Sequence, residues 1–181
     1  MTRSGVALLS ENPLTIEVGD LVRRPGGSKP LDFDAHVPGL EVGLGRVAGD
    51  GALHASLLLE ALAEGVFVTG QVSGTFVLEC SRCLADFAAD FAVDLHEVYT
   101  YPDLPEVEEG FVIWDDQIDL VPAIRDAVLL AVPDNPLHDP ACKGLCATCG
   151  EDLNAADCGH AQQTVDIRWE PLQRLRDTME E

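Results

Sequence analysis

Three stretches of strict alternation constrain this chain more than anything else in it. From Leu53 to Ala61 every odd position is apolar. From Val66 to Leu78 the even positions read Val, Val, Gly, Val, Gly, Phe, Leu, while Thr69, Gln71, Ser73 and Thr75 occupy the other side. From Phe87 to Leu95 the odd positions are Phe, Ala, Phe, Val, Leu, with Asp86, Asp90 and Asp94 opposite. A period of two puts alternate side chains on opposite faces of a strand. Three such runs with short connections predict an antiparallel meander with one wet face. The second connection is Cys80-Ser-Arg-Cys83.

The first third alternates more weakly. Leu14 to Val18, then Leu31, Phe33 and Val37, then Leu40, Val42 and Leu44, read as short strands, with turns at 25–27 and Gly49–Gly51. After a loop over 101–110 the period changes. In DLVPAIRDAVLLAVP, Asp119 can cap a helix, Pro122 fits its first turn, and Leu120, Ile124, Ala127, Val128 and Ala131 form one apolar stripe before Pro133. The expectation is an α+β fold. An antiparallel meander, free to curl toward a barrel, packs with one helix over Asp119–Val132 within a core of residues 1–133. A cysteine-rich segment follows over 134–160, and a short helix or tail over 161–181.

Charge narrows the function classes. The 181 residues carry 11 Lys and Arg against 32 Asp and Glu, a formal net charge of −21. Between Arg46 and Arg125 the only cation is Arg82. Such a surface is repelled by nucleic-acid phosphates and by anionic membranes, so direct binding to naked RNA is expected to be weak and membrane binding absent. The longest apolar run, Ala127 to Pro133, is far shorter than the roughly 20 residues of a membrane-spanning helix. The opening MTRSGVALLSENPL has no small-residue cleavage pattern, and a cytoplasmic chain is expected.

In a reducing compartment clustered cysteines point to metal or catalysis rather than to disulfides. Cys80-x-x-Cys83 and Cys146-x-x-Cys149 are two knuckles, and His138, Cys142, Cys158 and His160 lie near the second. Two cysteines separated by two residues can aim both sulfurs at one tetrahedral Zn²⁺. Eight candidates suffice for two ions. The preferred partition places Cys80, Cys83, His138 and Cys142 in one site and Cys146, Cys149, Cys158 and His160 in the other. A rival partition joins the two knuckles in a single ribbon-like site. A redox role for Cys80 and Cys83 would need a strand followed by a helix, whereas this pair lies between two strands. His36, His54 and His96 fall in strand-like segments and read as ordinary residues. The sequence has no glycine-rich phosphate loop, no H-E-x-x-H and no nucleophile elbow, so no enzyme is expected.

The stretch ECSRCLADF (Glu79–Phe87), the helix just described, the block CKGLCATCGEDLN (Cys142–Asn154) and a terminal D-x-R-W-x-x-L-like segment (Asp166–Leu172) resemble the YceD family in residue and order. The resemblance spans roughly Val66 to Leu172, and the C-K-G-L-C block is its most specific part. Family members often carry Cys at the place of His138 and C-x-C at that of Cys158-Gly-His160, each a change between zinc-ligand types. The resemblance implies a part in large ribosomal subunit biogenesis and 23S rRNA accumulation, with structural zinc and no chemistry of its own. Combined with the acidity, it makes a basic ribosomal or ribosome-assembly protein on the pre-50S particle the expected partner. The alternatives are a zinc-ribbon adaptor in transcription or a C-x-x-C thiol oxidoreductase.

Overall fold

The computed structural model describes residues 14–22, 24–102, 110–160 and Leu172. Most of the expected 161–181 tail therefore lies outside the described residues. The elements run β1 (Thr15–Glu17), β2 (Ser28–His36), β3 (Glu41–Val42), β4 (Gly45–Val47), a single turn α1 (Ala48–Gly51), β5 (Ala52–Ala61), β6 (Gly65–Glu79), β7 (Asp86–Thr100), β8 (Phe111–Val112), β9 (Gln117–Asp119) and α2 (Val121–Leu130). The three alternating runs are β5, β6 and β7, paired antiparallel in that order.

Strand β6 organises the sheet. Along one edge it meets β7 over its whole length. Along the other it meets β5 from Val66 to Gly74 and then β4 from Phe76 to Leu78. Strands β4 and β5 therefore run in the same direction in one lane. The turn expected at Gly49–Gly51 does not reverse the chain: Gly49 (φ 60°) and Asp50 (φ 57°) are left-handed, and they kink one extended path in two. Strand β2 borders β5 and β3 borders β4, while β1 and β9 form a separate ribbon.

The sheet does not close into a barrel. Among the described residues β2 pairs only with β5, and β7 only with β6 and, in parallel over two residues, β8. Pro30 in β2 has no N–H to offer a further neighbour. Helix α2 packs against β7, and its Arg125 donates to the carbonyls of Pro38 and Gly39 just after β2, at 2.9 Å each. A helix rather than a strand pairing thus links the two sides.

Burial follows the alternation. Leu59, Val66, Val68, Val72 and Leu95 are fully buried on the inner face, together with Ile124 and Val128 of α2. The rings of Phe76 and Phe91 stack at 4.0 Å between centroids. Gly70 lies in this face between Leu57 and Leu95. Its φ of +142° and the 2.2 Å from an added Cβ to the Ser56 carbonyl oxygen leave room only for glycine. His36, His54 and His96 are exposed on the outer face, where His54 pairs with Asp34 at 2.9 Å.

The helix starts later and ends earlier than expected. Asp119 is taken into β9 opposite Thr15, yet its carboxylate still accepts the Val121 N–H at 2.9 Å, so it serves the helix start from inside a strand. Pro122 occupies the first turn as expected, where its missing N–H costs nothing. No helix among the described residues is long and apolar enough to cross a membrane.

Candidate metal centres

The tight turn between β6 and β7 is Cys80 to Ala85. Leu84 N–H donates to the Cys80 carbonyl at 2.9 Å, and Cys80 N–H donates to the Ala85 carbonyl at 2.9 Å. The second knuckle repeats this scheme bond for bond. Gly150 N–H donates to the Cys146 carbonyl and Cys146 N–H to the Glu151 carbonyl, each at 2.8 Å. In both, two cysteines on one short loop turn their sulfurs to the same side, as the spacing predicts.

The segment after α2 is brought back onto the first knuckle by specific bonds. Ser81 N–H donates to the Pro136 carbonyl (2.9 Å), Leu145 N–H to the Arg82 carbonyl (3.0 Å) and Arg82 Nη1 to the Cys142 carbonyl (2.8 Å). These place Cys80, Cys83, His138 and Cys142 together, with every ligand atom within 4.8 Å of the others. The Cys80 and Cys142 sulfurs are 3.9 Å apart, and Cys83 Sγ is 3.5 Å from His138 Nδ1. A tetrahedron with Zn–S arms of about 2.3 Å has edges of about 3.8 Å, and these two separations are close to that length. A disulfide would need sulfurs about 2.05 Å apart; all six cysteines are free thiols.

The second quartet, Cys146, Cys149, Cys158 and His160, meets the same distance criterion, with His160 Nδ1 at 3.3 Å from Cys158 Sγ. The eight predicted residues thus assemble as two fours in the preferred partition. Among the described residues no such group joins the two knuckles. The centres differ in exposure. Cys80, Cys83 and Cys142 are buried beside Phe87, Leu137 and Leu145, in a small cluster apart from the main core. In the second centre only Cys146 is buried.

The donors are tuned unequally. Burial pushes the Cys80 thiol up, but the backbone N–H and ring of His138 and the N–H groups of Arg82 and Cys83 outweigh it and lower the thiol to about 5. The N–H groups of Cys149 and Thr148 lead in lowering Cys146 to about 6. Cys83 is favoured as a thiolate by the Ala85 N–H, yet burial and the neighbouring Cys80 and Cys142 sulfurs raise it overall. Cys158 is helped by the His160 N–H but is likewise raised overall, by Cys146 first and then by burial and Cys149. Without a cation, thiolates this close repel, which holds Cys83 and Cys158 toward their protonated forms. A dication reverses that balance. Zinc uptake near neutral pH should therefore expel protons from Cys83 and Cys158. Affinity should rise with pH until both thiols ionise unaided. Titration calorimetry in buffers of different ionisation enthalpy measures the release; heats independent of buffer would contradict it.

Two contributors escape a search for metal-ligand residue types. Asn154 Nδ2 donates to Cys142 Sγ at 3.4 Å while its Oδ1 accepts the Lys143 N–H at 2.8 Å, so it steadies a sulfur from outside the quartet. Arg82, the lone cation of its region, is spent on backbone carbonyls as a clamp. Its position between two cysteines was the only available signal.

A family profile described as "Large ribosomal RNA subunit accumulation protein YceD" matches residues 68–176, a span that contains both quartets. An uncharacterized protein of Mycobacterium tuberculosis is 40% identical over 169 residues, covering 89% of this chain and 80% of the relative. The chloroplastic YCED homolog 1 of Arabidopsis thaliana, titled a large ribosomal RNA subunit accumulation protein, is 34% identical over 92 residues, covering 51% of this chain and 26% of that protein. The uncharacterized protein YlbN of Bacillus subtilis is 26% identical over 107 residues, covering 58% of this chain and 62% of its own. No solved structure matches this chain significantly.

Proposed function

The chain belongs to the YceD family of large ribosomal RNA subunit accumulation proteins, and on that premise we propose that it is a non-enzymatic, cytoplasmic factor of large-subunit assembly whose two Cys/His quartets hold structural zinc. The observation that carries the zinc reading is the pair of four-donor clusters, each with all its ligand atoms within 4.8 Å of one another, the first of them steadied at Cys142 by Arg82 and Asn154. A zinc ion with four protein ligands has no open position for chemistry. The role is therefore to present a surface that supports 23S rRNA accumulation.

Charge selects the kind of partner. With 32 acidic against 11 basic residues, the surface suits a basic ribosomal or assembly protein on the pre-50S particle, and it disfavours phosphate backbones. The tagged protein should co-purify with large-subunit precursors in a salt-sensitive way, while gel-shift titration with protein-free 23S rRNA near physiological salt should show negligible binding. Submicromolar binding to naked rRNA would refute the protein-partner reading. Co-purification with RNA polymerase instead would favour a transcription adaptor, and insulin reduction abolished by Cys83→Ser would favour an oxidoreductase.

A further inference from the structure

The two knuckles have the same hydrogen-bond scheme but differ at one residue. The position after the second cysteine is left-handed in both: Gly150 has φ 76°, and its counterpart Leu84 has φ 61°. Glycine takes this conformation freely, whereas a side chain there brings Cβ against the following carbonyl. A Cβ built on Gly150 meets nothing within 4 Å, so glycine is required there only by the backbone angle. At Leu84 the same requirement is overridden, and the leucine that overrides it is 56% exposed. A strained residue that gains little burial in return points to a use outside the chain.

Two residues after Leu84, Asp86 joins Glu41, Val42, Leu44, Arg46 and Glu79 in lining a cleft of about 470 Å³ at the β3–β4 lip. The lip is tied to the last residue before the knuckle: Glu79 N–H donates to the Leu44 carbonyl at 2.8 Å, and Cys80 follows directly. Val42 and Leu44 are 46% and 37% exposed. The cleft therefore offers apolar contacts between three carboxylates and a single guanidinium, in a chain of net charge −21. A second copy would bring the same carboxylates against themselves, and a phosphate backbone would meet them directly.

We propose that Leu84 and the neighbouring β3–β4 lip form a docking surface for a lysine- or arginine-rich protein segment that carries an apolar side chain. The proposal rests on the reading of this chain as the acidic partner of a basic protein, and it names the face used.

The test compares the zinc-loaded full chain with Leu84→Gly. Glycine suits the left-handed position, so this variant should fold and retain its metal, and metal analysis checks that it does. The probes are a short lysine-rich peptide carrying leucines and its leucine-free counterpart, followed by fluorescence anisotropy. The chain should prefer the leucine peptide by about tenfold, equivalent to about 1.4 kcal/mol, and Leu84→Gly should erase the preference. Glu41→Gln with Asp86→Asn should weaken both peptides and flatten the salt dependence. Equal binding of the leucine peptide by the chain and Leu84→Gly would overturn the surface. Isolated large-subunit precursor particles separate this from the family reading. Particles that retain the chain and Leu84→Gly alike would overturn the surface and leave the assembly role standing. Particles that retain neither, with peptide discrimination intact, would support the surface and remove the particle as its target. A dimer lost in Leu84→Gly would put a second copy on the lip and overturn the basic occupant.

Discussion

Cys142→Ser should remove one of two zinc ions per chain and loosen residues 134–145 from the β6–β7 turn, while the sheet stays folded. The segment 134–160 has only three large apolar residues, Leu137, Leu145 and Leu153, so burial cannot hold it in place. Structural zinc contributes about 10–16 kcal/mol of apparent binding free energy in small zinc-finger peptides, comparable to the whole stability of about 5–15 kcal/mol of an ordinary domain. The sheet core and the cysteine cluster are separate groups of buried residues that share the half-buried Phe87 of β7, which stays with the sheet when the cluster opens. Metal analysis under reducing conditions should return close to two zinc for the chain and one for the variant. Hydrogen exchange should show 134–145 opened and β6 still protected. Zinc absent from the purified chain, or protection over 134–145 unchanged by chelation, would contradict this.

Gly70→Ala should be a severely damaging single-methyl change in the middle of the sheet. The added Cβ would lie 2.2 Å from the Ser56 carbonyl oxygen and 2.7 Å from Leu57 Cα, both main-chain atoms of β5 that no rotamer change can move. The φ of +142° adds strain that any L side chain would feel. The residue sits mid-strand between two paired neighbours, so relief requires parting β5 from β6. The expected loss is about 3–5 kcal/mol, at the far end of the range for point substitutions. Denaturant unfolding followed by far-UV circular dichroism measures it, and a midpoint within error of the parent would show that β5 yields easily. The two quartets, one beyond the C-terminal end of β6 and the other within 146–160, should still take up zinc in whatever fraction folds.

Strand periodicity and cysteine spacing are visible in sequence because each is a local repeat: β5, β6 and β7 follow from alternation, and the two quartets follow from ligand spacing. The open seam of the sheet was not visible, because whether β2 meets β7 depends on where α2 docks, and Arg125 reaches Pro38 and Gly39 from 86 or more residues away. Asp119 satisfied the rule for a helix cap, yet β1 claimed it first, 100-odd residues upstream in the same register as Glu17 with Gln117. Gly49–Gly51 read as a turn because glycines mark reversals, whereas two left-handed residues in succession here only offset a strand. The left-handed leucine of the first knuckle was invisible for the opposite reason: backbone preference argues for glycine there, and only the comparison with Gly150 exposes the exception.

The two quartets close very different lengths of chain. Cys80 and Cys142 are 62 residues apart, with β7, β8, β9 and α2 between them, while Cys146 to His160 closes within one short loop. During synthesis the second quartet can capture its ion as soon as its own loop leaves the exit tunnel. The first, although its ligands are synthesised earlier, must close a loop that holds three strands and a helix before its four donors meet. On the zinc reading, the first quartet has the longer closure to make, and under zinc limitation the population should divide into singly loaded chains with a complete sheet and an unlatched segment over 134–145.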